Sequence, residues 1–145
     1  MIGAAGATLA LSVALANAMV QPVVVEPDPV ESVQVDYEEA SLLAHLIYAE
    51  ANTLGERGMQ YAGSVVLNRV KSTKFPDSVQ GVIYQSGQYA CVSNGSINKE
   101  PSDVAYEIAE ELLLYGSVLP DEVVYQSEFV QGNIYTTLGN TYYCY

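Results

Sequence analysis

The apolar period of this chain changes once, and that change limits the folds open to it. Up to Gly116 the apolar residues recur every three or four positions; beyond Val123 they alternate. The spacing of Leu43, Leu46 and Ile47 predicts a first helix over Tyr37 to Ala51, with Asp36 as its N-cap. After the loop "NTLGERG", Gly58 opens a second helix with a stripe at Met59, Ala62, Val66 and Val70. Pro76 stops it, and Asp77 or Ser78 caps a short turn over "VQGVIYQ". "QYACVSNGSI" reads as two short extended pieces joined at Asn94-Gly95. A third helix starts at Pro101 or Ser102, ends at Gly116 and turns Val104, Ile108 and Leu112 inward. In "VVYQSEF", Val123, Tyr125, Ser127 and Phe129 alternate with Val124, Gln126 and Glu128. "NIYTT" and "TYYCY" follow, joined through Leu138-Gly139-Asn140. Three main helices followed by a short C-terminal antiparallel sheet is an α+β class.

Two segments precede this pattern. Residues 1–18 are apolar, free of charge and end in Ala16-Asn17-Ala18, as in a signal peptide or, lacking a basic start, an N-terminal membrane anchor. Residues 19–36 hold Pro22, Pro27 and Pro29 among Glu26, Asp28, Glu31 and Asp36, a linker that cannot form a helix. The folded domain is therefore expected over 37–145.

Charge narrows the partners. With 5 basic and 17 acidic residues the net charge is -12, which argues against nucleic acid and against adhesion to anionic lipid. No tryptophan and 12 tyrosines suit a groove for a polar, uncharged ligand such as carbohydrate. Cys91, Cys144 and the lone His45 lack metal-site spacing, so no metal and no cofactor is expected. Whether the two cysteines pair stays open at this level. With no nucleophile elbow, phosphate loop or zinc motif, nucleophilic and nucleotide chemistry are unsupported.

Within "LIYAEAN" the apolar stripe meets an acid. Seven residues turn a helix by about 700°, so Glu50 lies roughly 20° from Leu43, at the edge of the buried face. Partial burial disfavours the charged form of a carboxyl, and an acid that keeps its proton can donate it to a glycosidic oxygen. The plainer reading is an ion pair with Arg57 or Arg69. Asn68 shares a face of the second helix with Tyr61 and Val65, where its amide could orient a carboxyl or a substrate, or simply tie helices together.

Taken in order, "YAEA", then Gly58, Gly63, Val65, Leu67, Asn68, Arg69 and Val70, then "KFPDSVQGVIYQ", "GQYACV" and "LGNTYYCY" resemble the spore-cortex-lytic, SleB-like cell wall hydrolases. The resemblance covers about Tyr37 to Tyr145. It implies a small lysozyme-like domain, related to lytic transglycosylases, that cleaves the glycan strand of peptidoglycan. It makes Glu50 the catalytic acid. A single carboxyl suffices for a transglycosylase; a hydrolase needs a second about 5–9.5 Å away, for which Glu128 is the candidate. Gln88, Tyr89, Ser93, Asn94, Tyr125 and Gln126, with Asn68, would line the groove. The resemblance further implies a secreted or envelope-associated monomer working in wall or spore-cortex remodelling. The chain departs from the family at Asn52, where arginine is common, and at Gly58-Met59, where glutamine usually follows glycine. The alternative is a wall-binding or germination accessory module of the same fold without catalysis.

Overall fold

The computed structural model describes residues 20–26 and 32–145. The expected leader, 1–18, lies outside the described residues, as do 19 and 27–31 of the expected linker. Residues 20–26 carry no regular structure.

Helix α1, Tyr37–Ala51, starts where the Asp36 carboxylate accepts from the backbone N–H groups of Glu38 and Glu39 at 2.9 and 3.2 Å. Its buried face is Ala40, Leu43, Ala44, Leu46, Ile47 and Ala51. A 3-10 turn, Asn52–Leu54, leads directly into α2, Gly55–Lys71. Helix α2 therefore begins three residues ahead of Gly58, and the expected loop is mostly helical. The reversal is made at Gly55, whose φ of +72° is open only to glycine at low cost.

The short helix α3, Val79–Ile83, is capped by Ser78, whose Oγ accepts from Gly81 N–H at 3.0 Å. The two extended pieces expected around Asn94-Gly95 are instead α4, Ala90–Ser93, and a 3-10 turn, Ser96–Asn98. The turn itself is where the sequence puts it, at Gly95 with φ +80°. Tertiary packing overrides the local pattern here. Cys91 and Ile97 are buried in the core, and the Ile97 carbonyl is 2.7 Å from His45 Nδ1 on α1.

Helix α5, Asp103–Tyr115, runs from the Ser102 cap to Gly116. Its inner face is Ala105, Ile108, Ala109 and Leu112, whereas Val104 is 37% exposed, one position off the expected stripe. The two alanines let α5 sit close to its neighbours. Gly63 of α2 serves the same end, since a Cβ there would collide with Leu112 and crowd Ile47. The three long helices share one apolar core built on Leu43, Leu46, Ile47, Ala62, Val66, Ile108 and Leu112.

Strands β1 (Tyr125–Ser127), β2 (Ile134–Leu138) and β3 (Thr141–Cys144) form an antiparallel sheet in the order β1-β3-β2. Gln126 pairs with Tyr143 on one side of β3, and Thr137 with Tyr142 on the other. The alternation expected over Val123–Phe129 does not appear in the burial: Val123 and Val124 are both buried, the three strand residues Tyr125–Ser127 are all half-buried, and Phe129 is 65% exposed. A second, smaller apolar cluster of Val65, Leu119, Val123 and Tyr143 joins the sheet to α2. The result is the α+β arrangement, helices first and sheet last.

Candidate active site

Glu50 sits in the last turn of α1, half-buried, where the helices meet the sheet. It lines a cleft of about 130 Å³ with Ala51 and Leu54 on the helical side. Gln126, Ser127 and Glu128 close it from β1 and the residue after it, with Thr141 and Tyr143 from β3. The position follows from the helix period: Glu50 continues the stripe of Leu43 and Ile47 to the point where the core ends.

No cation neutralises this acid. Among the described residues the one ion pair is Lys71–Asp121, at 3.2 Å on the surface. Arg57 is exposed. Arg69 is buried, but its guanidinium is used elsewhere. Nε donates to the Val124 carbonyl at 2.7 Å and Nη1 to Gln88 Oε1 at 3.2 Å. The guanidinium carbon lies 4.9 Å from the Phe75 ring centre and 5.4 Å from that of Tyr89. The simple alternative of a Glu50–arginine pair is therefore not realised.

Two groups close to Glu50 hold their protons firmly. Burial pushes the Cys91 thiol up to about 12, and the neighbouring Glu50 carboxylate acts in the same direction. Burial also pushes the Tyr89 phenol up to about 12; Arg69 opposes this and Glu50 adds to it. Both are neutral near pH 7. Cys91 and Cys144 are free, buried thiols.

The other nominated residues divide into groups. Gln126 shares the cleft with Glu50, and its Oε1 is a buried acceptor without a protein donor. Gln88 and Ser93 are exposed on a separate hollow of about 520 Å³ that contains no ionisable side chain other than tyrosine. Asn94 is exposed beside it, its Oδ1 accepting from Ser96 N–H at 2.9 Å. Tyr125 lines a third hollow, at the C-terminal end of α2.

Two expectations of direct substrate contact are corrected. Asn68 is 0% exposed; its Nδ2 donates to the Pro120 and Val123 carbonyls at 2.7 and 2.9 Å. Tyr89 is 6% exposed, with its hydroxyl 3.5 Å from Arg69 Nη1. Asn68 is covered by the segment 118–124, and the Tyr89 ring is packed into the helical core against Arg69, so that it shows only an edge to the hollow at Gln88 and Ser93. Instead Ser64 and, one turn later, Asn68 and Arg69 of α2 bind the backbone of that segment, Ser64 Oγ accepting from Val118 N–H at 3.0 Å. They set where β1 stands opposite Glu50. Ser127 and Thr141 were not foreseen in the cleft. Only the sheet register brings them there, and no local motif marks them.

A family model described as "Cell Wall Hydrolase" matches residues 54–142. That match begins four residues after Glu50. The spore cortex-lytic enzyme of Oceanobacillus iheyensis is 38% identical over 69 residues, 48% of this chain and 25% of that one. The enzyme of the same name from Bacillus subtilis is 38% identical over 66 residues, 46% of this chain and 22% of that one. The chain thus spans about a quarter of the length of these curated relatives. Two solved structures share the fold. The catalytic domain of the germination-specific lytic transglycosylase SleB from Bacillus anthracis superposes with a TM-score of 0.68 at 20% identity, covering 78% of this chain and 98% of that one. The catalytic domain of the Bacillus cereus SleB protein gives 0.68 at 21% identity, covering 78% and 94%. Because the family model extends over more than half of the chain, the chain belongs to the cell wall hydrolase family.

Proposed function

We infer that residues 37–145 form a peptidoglycan lytic domain, acting on the wall or spore cortex at the cell envelope, with Glu50 as its acid and base. The observation that carries this reading is an acid without an ion-pair partner, held at the end of a core helix in a cleft against the sheet. In water a surface carboxylate gains nothing from such a position, whereas a proton donor needs it.

In the proposed reaction the Glu50 carboxylic acid gives its proton to the glycosidic oxygen as the C1–O bond breaks. The carboxylate left behind takes the proton of the muramoyl 6-hydroxyl as that oxygen bonds to C1. The product is a 1,6-anhydro sugar, no water is consumed and Glu50 is returned to its starting state. Gln126 Oε1, an acceptor without a donor, suits an N-acetyl N–H or the 6-hydroxyl. Cys91, a neutral thiol that hydrogen-bonds toward Glu50, eases the charge of the carboxylate when the proton has left. Glu128 lines the same cleft and offers a second carboxyl for a hydrolytic route, in which water is added across the bond. The uncharged hollow at Gln88 and Ser93 suits a further sugar of the strand.

Purified Glu50→Gln should melt with the parent protein and release muropeptides from sacculi at least about 10²–10³-fold more slowly. Release at near parental rate would remove Glu50 from the mechanism. Mass spectrometry of the products distinguishes anhydro ends, lighter by one water, from reducing ends. Binding to sacculi without any release by the parent protein would move the domain to the accessory, non-catalytic class.

A further inference from the structure

The third hollow, about 520 Å³ at the C-terminal end of α2, is unlike the rest of this acidic surface. The whole chain has 5 basic residues, and two of them, Lys71 and Lys74, meet here. Two acids, Asp121 and Glu122, line the same hollow, so it is electrically balanced within a molecule of net charge -12. Lys71 and Asp121 satisfy each other at 3.2 Å. Lys74 and Glu122 do not; neither has an ion-pair partner among the described residues. The hollow thus presents one unmatched cation and one unmatched anion. Tyr125 and Tyr145 give it apolar walls, and Tyr125 is set in place by edge-on packing with Phe75 at 6.3 Å. Asn68 lies beneath it, fully buried, with its Oδ1 accepting from no protein donor.

We propose that this hollow binds a short zwitterionic peptide, the stem peptide of peptidoglycan, through its free carboxylate at Lys74 and its free ammonium at Glu122. The argument rests on charge arrangement. A purely anionic ligand would meet Glu122 and Asp121, and a purely cationic one would meet Lys71 and Lys74. A ligand bearing both signs satisfies the two unmatched groups together. The assignment builds on the domain's reading as a peptidoglycan enzyme, and the fold makes the two sites compatible. Tyr125 lines this hollow and Gln126 lines the Glu50 cleft; as consecutive residues of β1 they place the two hollows on either side of one strand three residues long. A glycan in the cleft carries its peptide on the lactyl group, and four extended residues reach about 13 Å. That is enough to pass so short a strand.

The test titrates the full chain with a free stem tetrapeptide containing a diamino acid, followed by NMR shifts of the tyrosine and lysine signals. Saturable shifts centred on Tyr125, Tyr145 and Lys74 are expected. Lys74→Glu should weaken binding about fivefold or more, Lys74→Arg should retain it, and added salt should weaken the parent. A tetrapeptide with all its amines acetylated and all its carboxylates amidated should bind less well. No saturable shift at millimolar peptide, equal binding of the blocked peptide, or equal binding of a single free amino acid would overturn the assignment. A second arm compares KM on peptide-bearing strands with KM on strands stripped by an amidase. The parent should favour the peptide-bearing strands and Lys74→Glu should lose that preference; an unchanged preference would also overturn the proposal. The titration needs no turnover. Peptide binding by a chain that cleaves no glycan would therefore reject the enzymatic reading and leave the hollow assigned.

Discussion

The two halves of the domain are held together by different chemistry. The helices meet through apolar side chains: Leu43, Leu46, Ile47, Val66, Ile108 and Leu112 are buried against one another and tolerate small adjustments. The segment leading into the sheet is fastened to α2 by polar groups, with Ser64, Asn68 and Arg69 bonding main-chain atoms of residues 118–124. Apolar packing is non-directional, whereas a hydrogen bond fixes distance and angle. The gap between Glu50 and β1 lies where these two modes meet. The helical half supplies the acid and the bulk of the stability; the polar ties supply the width of the cleft.

Leu46→Ala should give the largest loss of stability, about 3 kcal/mol, because the side chain is wholly buried and leaves a cavity. Denaturant unfolding measures it. Activity per folded molecule should be nearly retained, since Leu46 lies behind the acid. Asn68→Ala should cost less, about 2 kcal/mol, by leaving the Pro120 and Val123 carbonyls unpaired. Yet it should lower kcat per folded molecule far more than Leu46→Ala does. Equal kinetic effects of the two variants would dissolve the distinction between the halves.

The smallest effect is one of pH. The Tyr143 hydroxyl in the sheet is pushed up to about 12 by burial, with Tyr61 adding to it, and Cys91 and Tyr89 are raised alike. In the unfolded chain the thiol and the phenols lose their protons at the ordinary 9.0 and 10.0. The folded state binds more protons between those values and about 12, so stability is full below about pH 9 and falls as pH rises toward 12. Thermal unfolding from pH 8 upward reads this. Tyr143→Phe, which keeps the ring and removes the ionising group, should flatten the slope; an unaltered slope would place the alkali-sensitive group elsewhere.

Much of the helical half was legible because its signals are local. Asp36, Ser78 and Ser102 cap the helices they were expected to cap, or were among those expected to, and Gly116 ends the last one. Where the reading failed, the deciding contact was distant in sequence. "YACVSNGSI" turns into helical pieces because Cys91 and Ile97 find the core. The stripe of α5 moves to Ala105 and Ala109 because small residues signal close approach only when the opposing Gly63 is known. Within the site, Glu50 was visible as an acid interrupting an apolar stripe. Its neighbours Ser127 and Thr141 enter through strand pairing. The burial of Asn68 depends on a segment about fifty residues away, and that of Tyr89 on the helical core and Arg69, which no spacing rule reports.

The strand order β1-β3-β2 has a consequence in time. Strand β1, which carries Gln126 into the cleft, pairs with β3 alone, and β3 lies fourteen residues further along the chain. The helices can settle on one another as they are synthesised, but β1 has no partner until residues 141–144 have emerged. An incomplete or clipped chain would carry the acid on a formed helix with nothing facing it. Under the function proposed above, cleavage would depend on β3, the strand that forms after every other part of the cleft is in place.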